Sequence, residues 1–353
     1  MLKLILVPIF LLNFGDPYWE LLYHDPKALW YLGAFNDLKS RYPAIKIAVI
    51  WSERWQNPDG SYTDLRIESS PEALDAFRVG ISDPYFLDKK SLKIKNSHVF
   101  LQNKGCYVGA FAESGVYEDS VSFGQLERYE ILSGKPLAFV QFSLFWGKEE
   151  IPVKQIQAIV DYGAIPMMQL LPWGEPYTLF RKQPLYSLDS IINGKFDRYL
   201  IKLARMIKNL NYPIFMTFGV EMNGNWFPWS GVYNGGMVTN CYGDPRKPDG
   251  PERYTDAFRH VVNLFRQVGA SNVIWYFHAN AISTPDEPWN FIENYYPGDK
   301  YVDWIGISVF GPQSKDDGWF SFREVMDKVY TYLLGLFPNK PLMVAEWGVM
   351  EKN

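Results

Sequence analysis

Cysteine and histidine are scarce in this chain of 353 residues: there are two cysteines, Cys106 and Cys241, and four histidines, His24, His98, His260 and His278. No CxxC and no Cys/His cluster is present, so no zinc site is indicated. The histidines are scattered, which argues against a His-based metal site or a Ser-His-Asp triad. Two cysteines can pair or stay free, and the redox compartment is open at this stage. Basic runs are missing as well. With a net charge of -4, nucleic acid is a poor partner. The longest apolar run, residues 1–12, is too short to cross a bilayer, and no small-x-small cleavage site follows it. It reads as a buried strand or anchored segment, with a signal core as the alternative. No other stretch reads as transmembrane.

What is abundant is apolar and aromatic. Hydrophobic residues make up 47%, enough for a large core and too many for disorder. Aromatics make up 17%, with 13 Trp and 23 Tyr. A large core accounts for part of that excess, and carbohydrate handling is a common reason for the rest. The length suits one large α/β barrel or two ordinary domains.

From residue 105 onward, short apolar runs alternate with amphipathic stretches. Strand candidates are 106–112, 137–145, 164–171, 213–220, 272–278, 302–310 and 341–346. Nearly continuous apolar runs bounded by turn formers are typical of strands buried on both faces of a parallel sheet. Between them, Phe258, Val261, Val262 and Phe265 fall at helical spacing. That makes seven strands, and an eighth unit precedes them. Residues 25–42 read as a helix, 45–51 as a strand, and 71–81 as a helix opened by Ser70 and Pro71; 56–69 is a polar excursion and 87–104 a polar link. A closed parallel barrel has no privileged first strand. The chain is therefore expected to be a single (β/α)8 TIM barrel, circularly permuted with the cut after strand 7. Residues 1–24 form an apolar segment and loop, 25–86 helix 7, strand 8 and helix 8, and 105–353 strands 1 to 7. The competing reading is a fragment of a tandem array. It leaves two bare sheet edges, and closure within one chain removes both.

Catalytic groups of such barrels sit at the C-terminal ends of strands. Two glutamates fall there: Glu221 after the fourth strand, in Phe218-Gly219-Val220-Glu221-Met222-Asn223-Gly224-Asn225-Trp226-Phe227-Pro228-Trp229, and Glu346 in Val344-Ala345-Glu346-Trp347-Gly348. Strands 4 and 7 face each other across the barrel mouth. Opposed carboxyls suit glycoside hydrolysis, an amide bonds hydroxyls, and indoles stack on pyranose faces. A lone strand-end Glu is more often a structural acceptor. Two such residues, each beside Trp, point to a site.

The run Glu221-Met222-Asn223-Gly224-x-Trp226-Phe227-x-Trp229 resembles the acid/base segment of glycoside hydrolase family 26, the β-mannanase and lichenase family of the retaining (β/α)8 clan. Tyr295-Tyr296-Pro297-Gly298-Asp299-x-Tyr301-Val302-Asp303-Trp304-Ile305-Gly306 is similar to that family's approach to strand 6, and Ala345-Glu346-Trp347-Gly348 to its nucleophile strand. Residues 25–86 resemble the family's usual C-terminal end. The resemblance implies that Glu221 is the general acid/base and Glu346 the nucleophile, with carboxyls roughly 5–5.5 Å apart. It makes Trp51 a platform under the sugar and places Asn223, Trp226 and Trp229 along the cleft. Trp146, Trp173 and His278 also end strands and are weaker cleft candidates, for which packing is at least an equal reading, and Phe310 and Trp347 are expected among the substrate-binding residues. The chain departs from the family's pattern at three places. Val220 and Thr217 stand where the family has His and Arg, and Phe310 stands where it has a Tyr that bonds the nucleophile. Either other residues supply that support, or catalysis is weak or absent.

The expected function is a retaining endo-β-glycosidase acting on a β-mannan or β-glucan class polysaccharide, without metal or organic cofactor. The alternative is a non-catalytic glycan-binding barrel. An aldolase-type barrel lacks a strand-end Lys and a phosphate loop. The expected partner is a polysaccharide or oligosaccharide, with no nucleic acid and no membrane span. A monomer in an extracellular or envelope setting follows from that function. Linkage preference rests on loops 174–190, 231–253 and 281–298, whose shapes the sequence leaves open.

Overall fold

The computed structural model describes residues 22–57, 60–95, 97–115, 118–314 and 316–351. The apolar segment 1–12 lies outside them. Eight strands build the barrel: β1 (Ile45–Ser52), β2 (Cys106–Ala112), β3 (Phe139–Phe145), β4 (Ile165–Leu171), β5 (Ile214–Phe218), β6 (Val273–Asn280), β7 (Trp304–Phe310) and β8 (Leu342–Gly348). All pair in parallel, each with its neighbours in chain order. β1 closes the ring. It pairs with β8 on one side and, over Ile47 to Ser52, with β2 on the other. No hydrogen-bonding edge of the barrel is left bare, and closure is achieved within this chain.

Successive side chains of a strand point to opposite faces. Ile47, Val49, Tyr107, Phe139, Ile165, Met167, Phe215, Tyr276 and Met343 form one apolar cluster that contains no helical residue, which is the barrel interior. Their neighbours join a larger cluster with the helices outside. Those helices include α1 (Pro26–Ser40), α2 (Pro71–Ser82), α3 (Phe123–Ser133), α4 (Val153–Tyr162), α5 (Asp197–Leu210), α6 (Asp249–Val268) and α7 (Phe322–Leu336). Side-chain caps start several of them. Asp25 accepts from the Lys27 amide and Ser70 from the Ala73 amide, each followed by proline at the first helical position. Ser321 and Glu324 form a capping box on α7.

The stretch 87–104, expected to be a polar link, contains an antiparallel hairpin, Lys93–Lys95 with His98–Phe100. Leu87, Leu92, Ile94, Val99 and Leu101 pack from it onto the interior cluster. An apolar barrel floor must be covered, and these alternating residues cover it. The loop 231–253 folds back on the start of α6: Arg253 donates to the Asn234 and Cys241 carbonyls and pairs with Asp189. Cys106 is buried, Cys241 is exposed, and both are unpaired.

Trp347 differs from its expected place. It stacks on Trp30 at 5.8 Å and meets Phe35 and Phe77 edge-on or stacked at 5.3 and 6.4 Å, buried outside the barrel against α1 and α2. Glu346 faces the mouth, so strand alternation sends Trp347 outward.

Candidate active site

Toward the C-terminal ends of the strands the interior turns polar. Gln141 and Ser143 (β3), Gln169 (β4), Thr217 (β5), His278 (β6) and Ser308 (β7) are all essentially buried. Buried polar groups need partners, and for Gln141 and Gln169 the partner is Glu346, while Ser143 bonds Gln169 and His278 bonds Ser308. A register irregularity after Ile307 sets Glu346 opposite Ser308. Glu346 Oε1 accepts from Gln141 Nε2 at 3.2 Å and from Gln169 Nε2.

Glu221 reaches the same space by another route. The strand expected over 213–220 stops at Phe218, because Gly219 turns with φ +57°. Glu221 itself has φ +54°, a left-handed conformation costly for a side chain with a Cβ. Its N–H donates to the His278 carbonyl at 2.8 Å. Its Oε1 accepts from Asn280 Nδ2 at 3.1 Å and its Oε2 from Trp226 Nε1 at 2.8 Å.

A carboxylate oxygen of Glu221, one of Glu346 and a ring nitrogen of His278 all lie within 4.8 Å of one another. Both glutamates are 7% exposed. Burial raises the pKa of Glu221, while Ser308, Asn280 and Trp226 pull it down. Burial pushes Glu346 well above the carboxylate range, with the charges of Glu221 and Glu118 adding to it and the Gln169 and Gln141 amides opposing it. Two carboxyls this close and this buried hold one proton between them. Glu118, on the loop after β2, is a third carboxyl at the site. Burial raises its pKa to about 7, and Ser143, donating at 2.8 Å, and Trp51 oppose the rise. Among the described residues, Glu221, Glu346 and His278 are the one group whose donor atoms could together hold a metal ion.

Half-exposed aromatics flank the carboxyls. Trp51 stacks on Trp55 at 5.0 Å, and Phe310 meets Trp51 edge-on at 5.4 Å. Trp226 is likewise half-exposed and donates to Glu221. Other sequence candidates lie elsewhere. Asn223 is fully buried, and its side chain clamps the loop after β6: Nδ2 donates to the Asn280 carbonyl at 2.9 Å and Oδ1 accepts from the Asn280 amide at 2.9 Å. Trp229 is fully buried, stacked on Phe227 at 4.5 Å, with its indole on the Val220 carbonyl. Trp146 packs on Phe196 and Phe218 in the core, and Trp173 packs edge-on to Trp229. His278 is sealed from solvent beside the carboxyls. Sequence reasoning missed Gln141, Gln169, Asn280, Ser308, Glu118 and Trp55. Gln141 and Gln169 did carry a signal: a lone amide in the middle of an apolar run needs a partner.

A parallel barrel with two neighbouring buried glutamates on a bed of amides, near half-exposed indoles, has the chemistry that glycoside hydrolysis calls for. The family model for glycosyl hydrolase family 26 matches residues 148–332, just over half of the sequence, and the chain belongs to that family. Endoglucanase H of Acetivibrio thermocellus is 29% identical over 253 residues, covering 70% of this chain and 25% of that protein. The beta-1,3-xylanase TXYA of a Vibrio species is 25% identical over 162 residues, covering 45% of this chain and 28% of that protein. The chain thus spans about a quarter of the length of these curated relatives. Among solved structures, GH26A from Muricauda sp. MAR_2010_75 is similar at 22% identity and a TM-score of 0.44, covering 64% of this chain and 72% of that one.

Proposed function

We propose that the protein is a retaining endo-β-glycosidase, with Glu346 as nucleophile and Glu221 as general acid/base. The observation that carries the proposal is the approach of the two carboxyls and His278 to within 4.8 Å of one another. A nucleophilic carboxylate needs a short separation, whereas an inverting pair stands roughly 6.5–9.5 Å apart to admit water. An oxygen of Glu346 bonds to the anomeric carbon as the glycosidic C–O bond breaks, and Glu221 gives its proton to the departing oxygen. Glu221 then takes a proton from water. The water oxygen bonds to the anomeric carbon, the bond to Glu346 breaks, and both residues return to their starting states. The raised proton affinity of the pair keeps one proton available near neutral pH.

The substrate is a β-linked polysaccharide of the β-glucan or β-mannan class. The supports are the names of the relatives, an endoglucanase and a β-1,3-xylanase, and the half-exposed indoles that suit sugar faces. The polar groups absent at Val220, Thr217 and Phe310 have counterparts in Asn280, Gln141 and Gln169, which favours a working enzyme. The chain order is proposed to be a circular permutation of the family's usual order, in a single catalytic domain acting as a monomer outside the cell or in its envelope.

The test is reducing-end release from β-mannan, mixed-linkage β-glucan and β-xylan. Turnover of at least one is expected, and it should vanish in Glu221→Ala and in Glu346→Ala. Sugar binding without turnover across the panel would leave a glycan-binding barrel instead.

A further inference from the structure

Beside the catalytic cleft lies a second hollow. The loops 174–190 and 231–253 meet over the start of α6 and leave a groove of about 400 Å³ between them. That lies within the range of small-molecule sites, roughly 300–1,000 Å³. None of Glu221, Glu346, Trp51, Trp226 and Phe310 lines it. Trp226 bonds to Glu221, whereas Pro228, two residues on, borders the groove. Phe180 stands between the two. It is 63% exposed, its N–H donates to the Trp226 carbonyl at 2.8 Å, and Lys182, two residues on, borders the groove. The walls are fixed by their own bonds. Tyr233 donates to the Asn225 carbonyl, Asn234 to the Pro228 and Ser230 carbonyls, and Arg253 to Asp189.

Asp249 sets the chemistry of the groove. Its side chain is fully buried. Its Oδ2 accepts from the Cys241 amide at 3.1 Å and stands 3.6 Å from Arg253 Nη1. Its Oδ1 has no hydrogen-bond partner among the described residues. An acid suits the first turn of α6, but that leaves Oδ1 without a donor. A buried acceptor without a donor is costly, so the groove is short of one donor. Lys182 and Arg253 balance Asp189 and Asp249 around it, which selects neither a cation nor an anion. Among the described residues, no group that could hold a metal ion includes Asp249. Pro184, Pro228 and Val238 add apolar surface. A neutral molecule with hydroxyls and apolar C–H faces meets both demands, and a sugar is such a molecule.

We propose that this groove is a second carbohydrate-binding site, distinct from the catalytic cleft, in which Asp249 Oδ1 accepts from a sugar hydroxyl. Its occupant is a further stretch of the polysaccharide that the cleft takes. The choice of a sugar rests on the glycosidase reading above.

The protein carries its own reporter, because Cys241 is exposed and borders the groove while Cys106 is buried. The experiment uses the full chain with Glu346→Ala, so that sugars are not consumed. Cellohexaose, mannohexaose and β-1,3-xylohexaose are titrated by calorimetry, and iodoacetamide is then added at saturation. With at least one sugar, two equivalents are expected to bind, and alkylation of Cys241 slows ~10-fold at ten times the dissociation constant. In Asp249→Asn the side-chain oxygen keeps the Cys241 amide and an NH2 replaces the free acceptor. The sugar concentration that half-protects the thiol should rise ~10–100-fold. Val238→Trp fills the groove from its rim and should remove the second equivalent. A thiol alkylated at an unchanged rate with all three sugars overturns the proposal, and so does protection that is indifferent to Asp249→Asn. Wild-type turnover is measured beside it. No turnover with a protected thiol sinks the glycosidase reading and keeps the groove, and turnover with an unprotected thiol does the reverse.

Discussion

Gln169 and Gln141 converge on one oxygen of Glu346. A hydrogen bond to a charged acceptor contributes about 1.5–3 kcal/mol, and here both favour the ionised form of Glu346. In Gln169→Leu one donor is gone, so Glu346 holds its proton to higher pH. The acidic limb of kcat/KM is expected to move up, with a fall of ~10–100-fold in rate at the wild-type optimum. Glu118 acts in the opposite sense. Its charge helps to raise Glu346, and it titrates at about 7 itself. In Glu118→Gln the acidic limb is expected to move down. A pH–rate profile of the two variants beside the wild type checks both signs. An acidic limb that shifts the same way in both would contradict this account.

At the scale of elements, the informative case is the end of β8. Glu346 and Trp347 are sequence neighbours with opposite surroundings, one at the barrel mouth and one against Trp30 and Phe77. Trp347→Ala therefore acts on stability. Emptying a buried indole site costs about 3–5 kcal/mol, visible as a lower denaturant midpoint. Affinity for oligosaccharide, measured on the folded protein by calorimetry, should be unchanged. A loss of affinity with stability intact would place Trp347 in the cleft after all. The β5 end teaches a related point. The motif around Glu221 was legible, but Asn223 in it holds the loop after β6 in place and Trp229 packs beneath the wall. Residue type alone does not separate a sugar-binding amide from a loop clamp.

At the scale of the molecule, the barrel buries several acids around its mouth. Burial raises Glu53 to about 9, with the charge of Glu118 second, and raises Glu118 itself to about 7. Glu68 is raised to about 7 by burial and its bond to Glu113. Glu221 and Glu346 are raised too. In the unfolded chain these groups ionise near 4.3. Between that value and about 9 the folded state binds more protons, so stability falls as pH rises. The contribution is fully present below the unfolded pKa and lost as pH passes the folded values. The melting temperature should be higher at pH 5 than at pH 8, and Glu53→Gln should flatten the difference. A melting temperature that rises over that interval would refute this.

Periodicity and composition in the sequence determined the barrel. Continuous apolar runs at regular spacing must form strands buried on both faces, and the N-terminal unit was needed to close their edges. The sequence also picked out Glu221 and Glu346, because a carboxyl at a strand end beside Trp is visible in one dimension. Only the tertiary structure decided what surrounds them. Gln141, Gln169, Asn280 and Ser308 come from four strands spread over more than 160 residues, and their convergence is a property of the closed ring. Which tryptophans face the cleft was equally out of reach. That depends on strand register and on where a strand ends, and a single positive φ at Gly219 or one irregularity in β8 resets both.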